Sequence, residues 1–179
     1  MFFIPGVVIS VITFPGVIVH EAAHMLFCKL RRVAVFDVCF FRFGNPAGYV
    51  IHEETENFTS AFLISMGPFI INSLLCIVIC LPAMAPLKFF GGVEDPNSLV
   101  LLWLGISIGA HAFPSAHDSQ NVWRLAKVEA RKRNPLAIAS FPIVAVMFAG
   151  NVLSVVWFDV IYAFGIGVAL PAAVLDALL

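Results

Sequence analysis

The residues in this chain best placed to do chemistry are His20, Glu21 and His24, in the order H-E-x-x-H inside an apolar run. On a helix, positions i and i+4 share a face, so the two imidazoles point the same way. Two histidines so placed can hold one zinc ion, and the glutamate between them can act as general base on a water that the ion activates. The competing reading is a pair of histidines satisfied by hydrogen bonds inside a helical bundle. The apolar surroundings favour the metal reading, because ionisable groups at membrane depth are costly and mark functional positions.

The elements that must position these residues are membrane elements. The chain has 179 residues, of which 61% are hydrophobic and 12% charged, with a mean hydropathy of +0.99. Soluble domains carry about 25% charge, so composition excludes a soluble hydrolase. No field of Arg and Lys interleaved with aromatics is present, which argues against a nucleic-acid partner. Cys28, Cys39, Cys76 and Cys80 form no C-x-x-C pair, so neither a disulfide framework nor a cysteine zinc knuckle is indicated.

Hydropathy predicts an all-α membrane protein, a polytopic bundle of about five transmembrane helices in one integral-membrane domain over residues 1–179. Phe2 to Val19 is uncharged, and its apolar character continues through the histidines to Phe27; it reads as a retained span rather than a signal peptide. Pro15-Gly16 is expected to kink it. Thr59–Leu81 is the second span, with Asn72 inside it, and Pro82–Asn97 is a loop. An asparagine within a span is ordinarily an interhelical hydrogen-bond partner. Ser98 to about His117 is the third span, opened near its end by Pro114. His117 reads as an interfacial histidine facing headgroups. Residues 135–179 are apolar apart from Asp159 and Asp176 and too long for one crossing. They split into Leu136–Val156 and Val160–Leu178, with a tight turn near Asp159.

Two segments break the helical pattern. Residues 33–54 alternate β-branched and aromatic residues around Gly44-Asn45-Pro46-Ala47-Gly48, which reads as a β-hairpin at the membrane surface. Its open edge could pair with an extended substrate. Residues 119–134 mix Val122, Trp123 and Leu125 with Arg124, Lys127, Arg131, Lys132 and Arg133. They read as an amphipathic helix lying on anionic headgroups.

Charge counting then tests the motif. Basic residues cluster at Lys29–Arg32 (with Arg42) and at Arg124–Arg133, and the positive-inside rule puts both in the cytoplasm. The N-terminus then lies outside. The first and third spans run in the same direction, so His20, His24, His111 and Asp118 come to one depth near the cytoplasmic face. A site of three ligands with an open position for water becomes reachable. His111 and Asp118 both compete for the third place.

The chain resembles the intramembrane zinc metalloproteases of the site-2 protease class, in particular its small zincin-type membrane peptidases. The resemblance covers roughly Phe2 to Asp118, the expected core spans (2–118). It rests on His20-Glu21-x-x-His24 in a first core span, Gly67-Pro68…Asn72 in the next and Asp118 in the third. It implies a zinc-dependent endopeptidase acting on membrane protein or peptide substrates. Zn2+ would be held by His20, His24 and Asp118, with Glu21 as catalytic base and Asn72 positioning substrate or oxyanion. In the class the asparagine usually follows the proline by three residues and the aspartate sits in a leucine-aspartate-glycine context. Here the spacing is four, and the context is Pro114-Ser115-Ala116-His117-Asp118-Ser119. His111 therefore stays in competition for the third place, with the carboxylate favoured because carboxylate completes two-histidine zinc sites in hydrolases. The alternative is a non-enzymatic integral membrane protein with a structural zinc site or an interaction role. A metal transporter would need polar residues through the depth of several spans, and the last two are nearly bare.

Overall fold

A computed structural model describes residues 6–89, 95–154 and 157–178. The protein is helical, with one small two-stranded sheet. Helices α1 (Gly6–Ile12) and α2 (Phe14–Leu30) precede strands β1 (Val35–Cys39) and β2 (Tyr49–His52). Helices α3 (Phe58–Phe89), α4 (Pro96–Ala110), α5 (Ala116–Arg131) and α6 (Pro135–Leu153) follow. The chain closes with α7 (Phe158–Phe164), a π-helical turn at Gly165–Ala169 and α8 (Leu170–Ala177).

Among the described residues, two helices are long and apolar enough to cross a membrane: Phe58–Phe89 and the continuous helical run Phe158–Ala177. This fits a membrane protein and corrects the expectation of about five spans. The first apolar run is broken, because α1 leaves α2 at 89°. Thr13 and Pro15 lie at the break. Pro15 occupies the first turn of α2, where its missing N–H costs nothing. The pair counts as a third span only if the bent helices are taken together, and residues 2–5 of the expected span lie outside the described residues. The apolar helices Pro96–Ala110 and Pro135–Gly150 are shorter. The outer faces of the helices are nonetheless apolar, with Leu74, Val78, Ile138 and Val146 more than half exposed, as suits a lipid environment.

Helix ends differ from the sequence reading in instructive ways. α3 continues through Pro82 and Pro86 to Phe89, into what reads as a loop. Prolines are tolerated within such apolar helices when neighbours satisfy the freed backbone groups. The rest of that expected loop, 90–94, lies outside the described residues. The helix expected as the third span ends at Ala110, so Asp118 stands not at its end but in the first turn of α5. Asp159 likewise lies inside the first turn of α7 rather than in a turn, and residues 155–156 of the expected split lie outside the described residues. α2 ends on a Schellman motif without glycine: Arg32, at φ 56°, donates from its N–H to Lys29 O and Val33 N–H to Cys28 O. That motif turns the chain directly into β1.

The expected hairpin is present. β1 and β2 are antiparallel, with Val38 opposite Val50 and Cys39 opposite Tyr49, and an irregularity lies between Val35 and Asp37. Tyr49 donates its hydroxyl proton to Asp37 at 2.9 Å, and the Arg42 guanidinium lies 5.1 Å above the Tyr49 ring. The bond to Asp37 favours the neutral phenol and holds the Tyr49 pKa above its ordinary value. The expected amphipathic helix is present as α5, and part of its apolar side packs on protein. Val122, Leu125 and Ala126 are buried against Phe58 and Ala61 of α3 and Ala137 and Val144 of α6. Val128 stays exposed on the same helix, as do Arg124, Lys127 and Arg131–Arg133.

Candidate metal centre

α2 supplies the H-E-x-x-H residues and α4 fixes how deeply they sit. Gly16 lies one turn before His20 on the face that meets α4. A methyl group there would collide with the Ser107 carbonyl oxygen and approach His111 Cδ2 to 2.6 Å. Only glycine lets the two helices close this far. The approach brings His20 Nδ1 within 2.6 Å of the His111 carbonyl oxygen. That carbonyl is available because His111 follows the last residue of α4, Ala110, and no further helical turn supplies it with an N–H. A carbonyl accepts only, so His20 donates from Nδ1 and keeps the lone pair on Nε2. This is the usual second partner of a metal-binding histidine, and it fixes ring and tautomer.

His24 is buried, with 6% of its surface exposed. Its ring packs edge-on to that of His20, the centroids 4.9 Å apart, and its Nε2 lies 3.5 Å from Asp118 Oδ2. That separation is long for a hydrogen bond. Two ligand atoms that each sit about 2.0–2.1 Å from a tetrahedral zinc are roughly 3.4 Å apart, so the spacing suits a shared ion. Asp118 is held by a capping box at the start of α5: its Oδ2 accepts from the Ser115 hydroxyl at 2.6 Å, while the Ser115 hydroxyl oxygen accepts from Asp118 N–H at 3.2 Å.

His20, Glu21, His24 and Asp118 line one cavity of about 430 Å³ together with Tyr49 and His52 of β2. A second cavity of about 330 Å³ shares His20 and Glu21 and extends to His111 and Asp159. Glu21 thus borders both. Gly48 sits over it: a Cβ at 48 would lie 2.7 Å from Glu21 Cγ and 3.0 Å from Phe40 O, so the hairpin lies directly on the motif. His117 is exposed at the rim of the first cavity. As the side chains stand, no group of three His, Cys, Asp or Glu among the described residues is gathered tightly enough to enclose an ion. The donor set fits zinc in chemistry, with an oriented imidazole, a second imidazole and a hydrogen-bonded carboxylate.

The remaining two sequence candidates are placed elsewhere. The His111 ring turns away, its Nε2 2.7 Å from the Thr13 hydroxyl. That hydroxyl gives its proton to Ile9 O at 2.7 Å, so it accepts from His111, and Nε2 has no lone pair left for a metal. What His111 brings to the site is its backbone carbonyl, a role no side-chain motif reports. Asn72 is fully buried and does not border the first cavity. Its Nδ2 donates to His111 O at 3.0 Å and Ile108 O at 3.1 Å, with Gly16 O at 3.5 Å. An amide so committed has no donor to offer an oxyanion, and the interhelical role expected of an asparagine in a span is the one observed. Thr13 and Ser115, which hold His111 and Asp118, escaped the sequence reading; the S-x-x-D spacing of Ser115 and Asp118 was their one available signal. No family model, no curated protein and no solved structure matches the chain.

Proposed function

We propose that this chain is a zinc-dependent endopeptidase that hydrolyses peptide bonds of membrane proteins, similar to the site-2 protease class. The observation that carries the reading is the convergence of His20, Glu21, His24 and Asp118 on one cavity, with His24 and Asp118 at ligand-sharing distance. His20, His24 and Asp118 would hold the ion. When bound, zinc supplies Lewis acidity toward water and the scissile carbonyl. Glu21 takes the proton from the attacking water and returns it to the leaving amine. The His111 carbonyl keeps the His20 lone pair on Nε2, and Ser115 orients Asp118. β2 lines the cavity and would hold an unwound substrate segment extended by strand pairing. We place the site near the cytoplasmic face of a multi-pass protein with its N-terminus outside, from the basic clusters at Lys29–Arg32 and Arg124–Arg133.

Elemental analysis of the purified protein tests this directly. About one zinc per chain is expected, lost in His20→Ala, His24→Ala and Asp118→Ala and kept in His111→Ala and Glu21→Gln. Glu21→Gln should also keep the fold while losing turnover by 10²-fold or more, a typical general-base contribution of about 10²–10⁴. A zinc-free wild type under metal-replete conditions overturns the reading and leaves His24–Asp118 as a structural pair, the non-enzymatic alternative.

A further inference from the structure

We infer that Asn72 is a positioning residue for His20, acting through the backbone carbonyl of His111; the inference rests on the zinc reading above. His111 lies just past the end of α4 at Ala110 and three residues before Pro114, so no helical turn follows to supply an N–H to its carbonyl, while the Ile108 carbonyl already accepts from the His111 N–H at 3.2 Å. The Asn72 amide nitrogen reaches both, at 3.1 and 3.0 Å, from the middle of α3. The His111 oxygen therefore receives two donors, Asn72 Nδ2 and His20 Nδ1 at 2.6 Å. One carbonyl has two lone pairs, and here each is used. Asn72 fixes where that oxygen sits, and the oxygen fixes the His20 tautomer and ring plane. The third contact, to Gly16 O at 3.5 Å, ties the same amide to the turn of α2 that precedes His20.

A generic interhelical tie does not require this arrangement. Asn72 Oδ1 is buried, and no partner among the described residues reaches it. A buried acceptor without a partner is costly, and every acceptor around the nitrogen is a carbonyl, so the amide cannot be turned to relieve it. The position therefore demands a donor. Aspartate, isosteric but without an N–H when ionised, is the sharpest replacement.

The test reads metal affinity and histidine tautomer rather than turnover. Zinc is titrated against a chromophoric chelator in wild type, Asn72→Asp, Asn72→Ser and Thr13→Val, and cobalt-loaded samples give the ligand-field spectrum. Thermal melts identify which variants fold. Loss of the hydrogen-bond partner that orients a ligand histidine weakens metal binding about 10–100-fold; that loss, with a changed cobalt spectrum, is expected for Asn72→Asp. Asn72→Ser keeps a shorter donor and should fall between Asn72→Asp and wild type. Thr13→Val frees the His111 ring but not its carbonyl and should stay within about threefold of wild type, since the carbonyl and not the ring orients the ligand. In metal-free wild type, nitrogen-15 histidine spectra should show His20 protonated on Nδ1. A folded Asn72 variant with unchanged affinity and spectrum overturns the inference while leaving the zinc reading intact. A metal-free wild type with His20 protonated on Nε2 overturns it without any variant, and a wild type that binds no zinc removes both.

Discussion

Replacing Gly16 by alanine tests how the fold delivers His20. The added methyl would meet the Ser107 carbonyl oxygen and sit 2.6 Å from His111 Cδ2. The carbonyl belongs to the backbone of α4 and cannot rotate aside, so α2 must withdraw by at least about 1 Å to regain ordinary contact near 3.5 Å. The His20 Nδ1–His111 O bond begins at 2.6 Å; moved out by that amount it reaches about 3.6 Å, beyond hydrogen-bonding range. Overpacking costs about 1–3 kcal/mol, and the better helix propensity of alanine offsets about 1 kcal/mol of it. The net loss is up to about 2 kcal/mol, which for a chain of this size lowers Tm by several degrees, at about 2–4 °C per kcal/mol. Zinc binding should fall about 10–100-fold, because His20 loses its orienting partner. Thermal melts in detergent beside a zinc competition titration measure both. An alanine variant that melts above wild type and binds zinc equally well would refute the close approach of α2 and α4 as the device that sets His20.

Three further outcomes are expected. Ser115→Ala removes the hydroxyl that holds Asp118 at 2.6 Å and should cost about 0.5–2 kcal/mol as a lost cap while weakening zinc binding; a variant that loses stability but keeps full affinity would separate the cap from the ligand. Asp95 caps α4, its carboxylate accepting from Asn97 N–H at 3.2 Å and Ser98 N–H at 3.1 Å; Asp95→Ala should cost about 1 kcal/mol in a denaturant or thermal melt and leave zinc stoichiometry unchanged. Asp37→Asn removes the charged acceptor that raises the Tyr49 pKa. The chain has two tyrosines, so an absorbance titration should show one of them ionising at lower pH in the variant. By sign, a raised tyrosine pKa means that the hairpin bond is present below the ordinary tyrosine range and lost as pH rises through the folded value; an unshifted titration would remove Asp37 as its cause.

Much of the site was legible because it is local. His20, Glu21 and His24 lie within five residues, and the period of a helix alone puts both imidazoles on one face. The hairpin was legible from β-branched residues around a turn, and helical character from long apolar runs. Lengths and ends were not. A proline-rich stretch reads as a loop, yet α3 runs through Pro82 and Pro86, because packing within an apolar bundle overrides local propensity. α2 ends at Leu30, and the left-handed residue that follows is Arg32, so no glycine announces the end. Apolar content alone counted five spans where helix length and the 89° bend after α1 allow fewer.

Composition and the five-residue motif determined that this is a helical, membrane-like chain with two histidines on one helix face and a glutamate beside them. The tertiary structure decided which partners they meet. Asp118, 94 positions after His24, comes to it from the first turn of a separate helix, His111 contributes a carbonyl rather than a ring, and Asn72 turns to that carbonyl rather than to the cavity. The reason is physical: sequence spacing fixes which side chains share a helix face. Which backbone oxygen is left free, and what donor reaches it, is settled only where helices end and how closely glycine lets them pack.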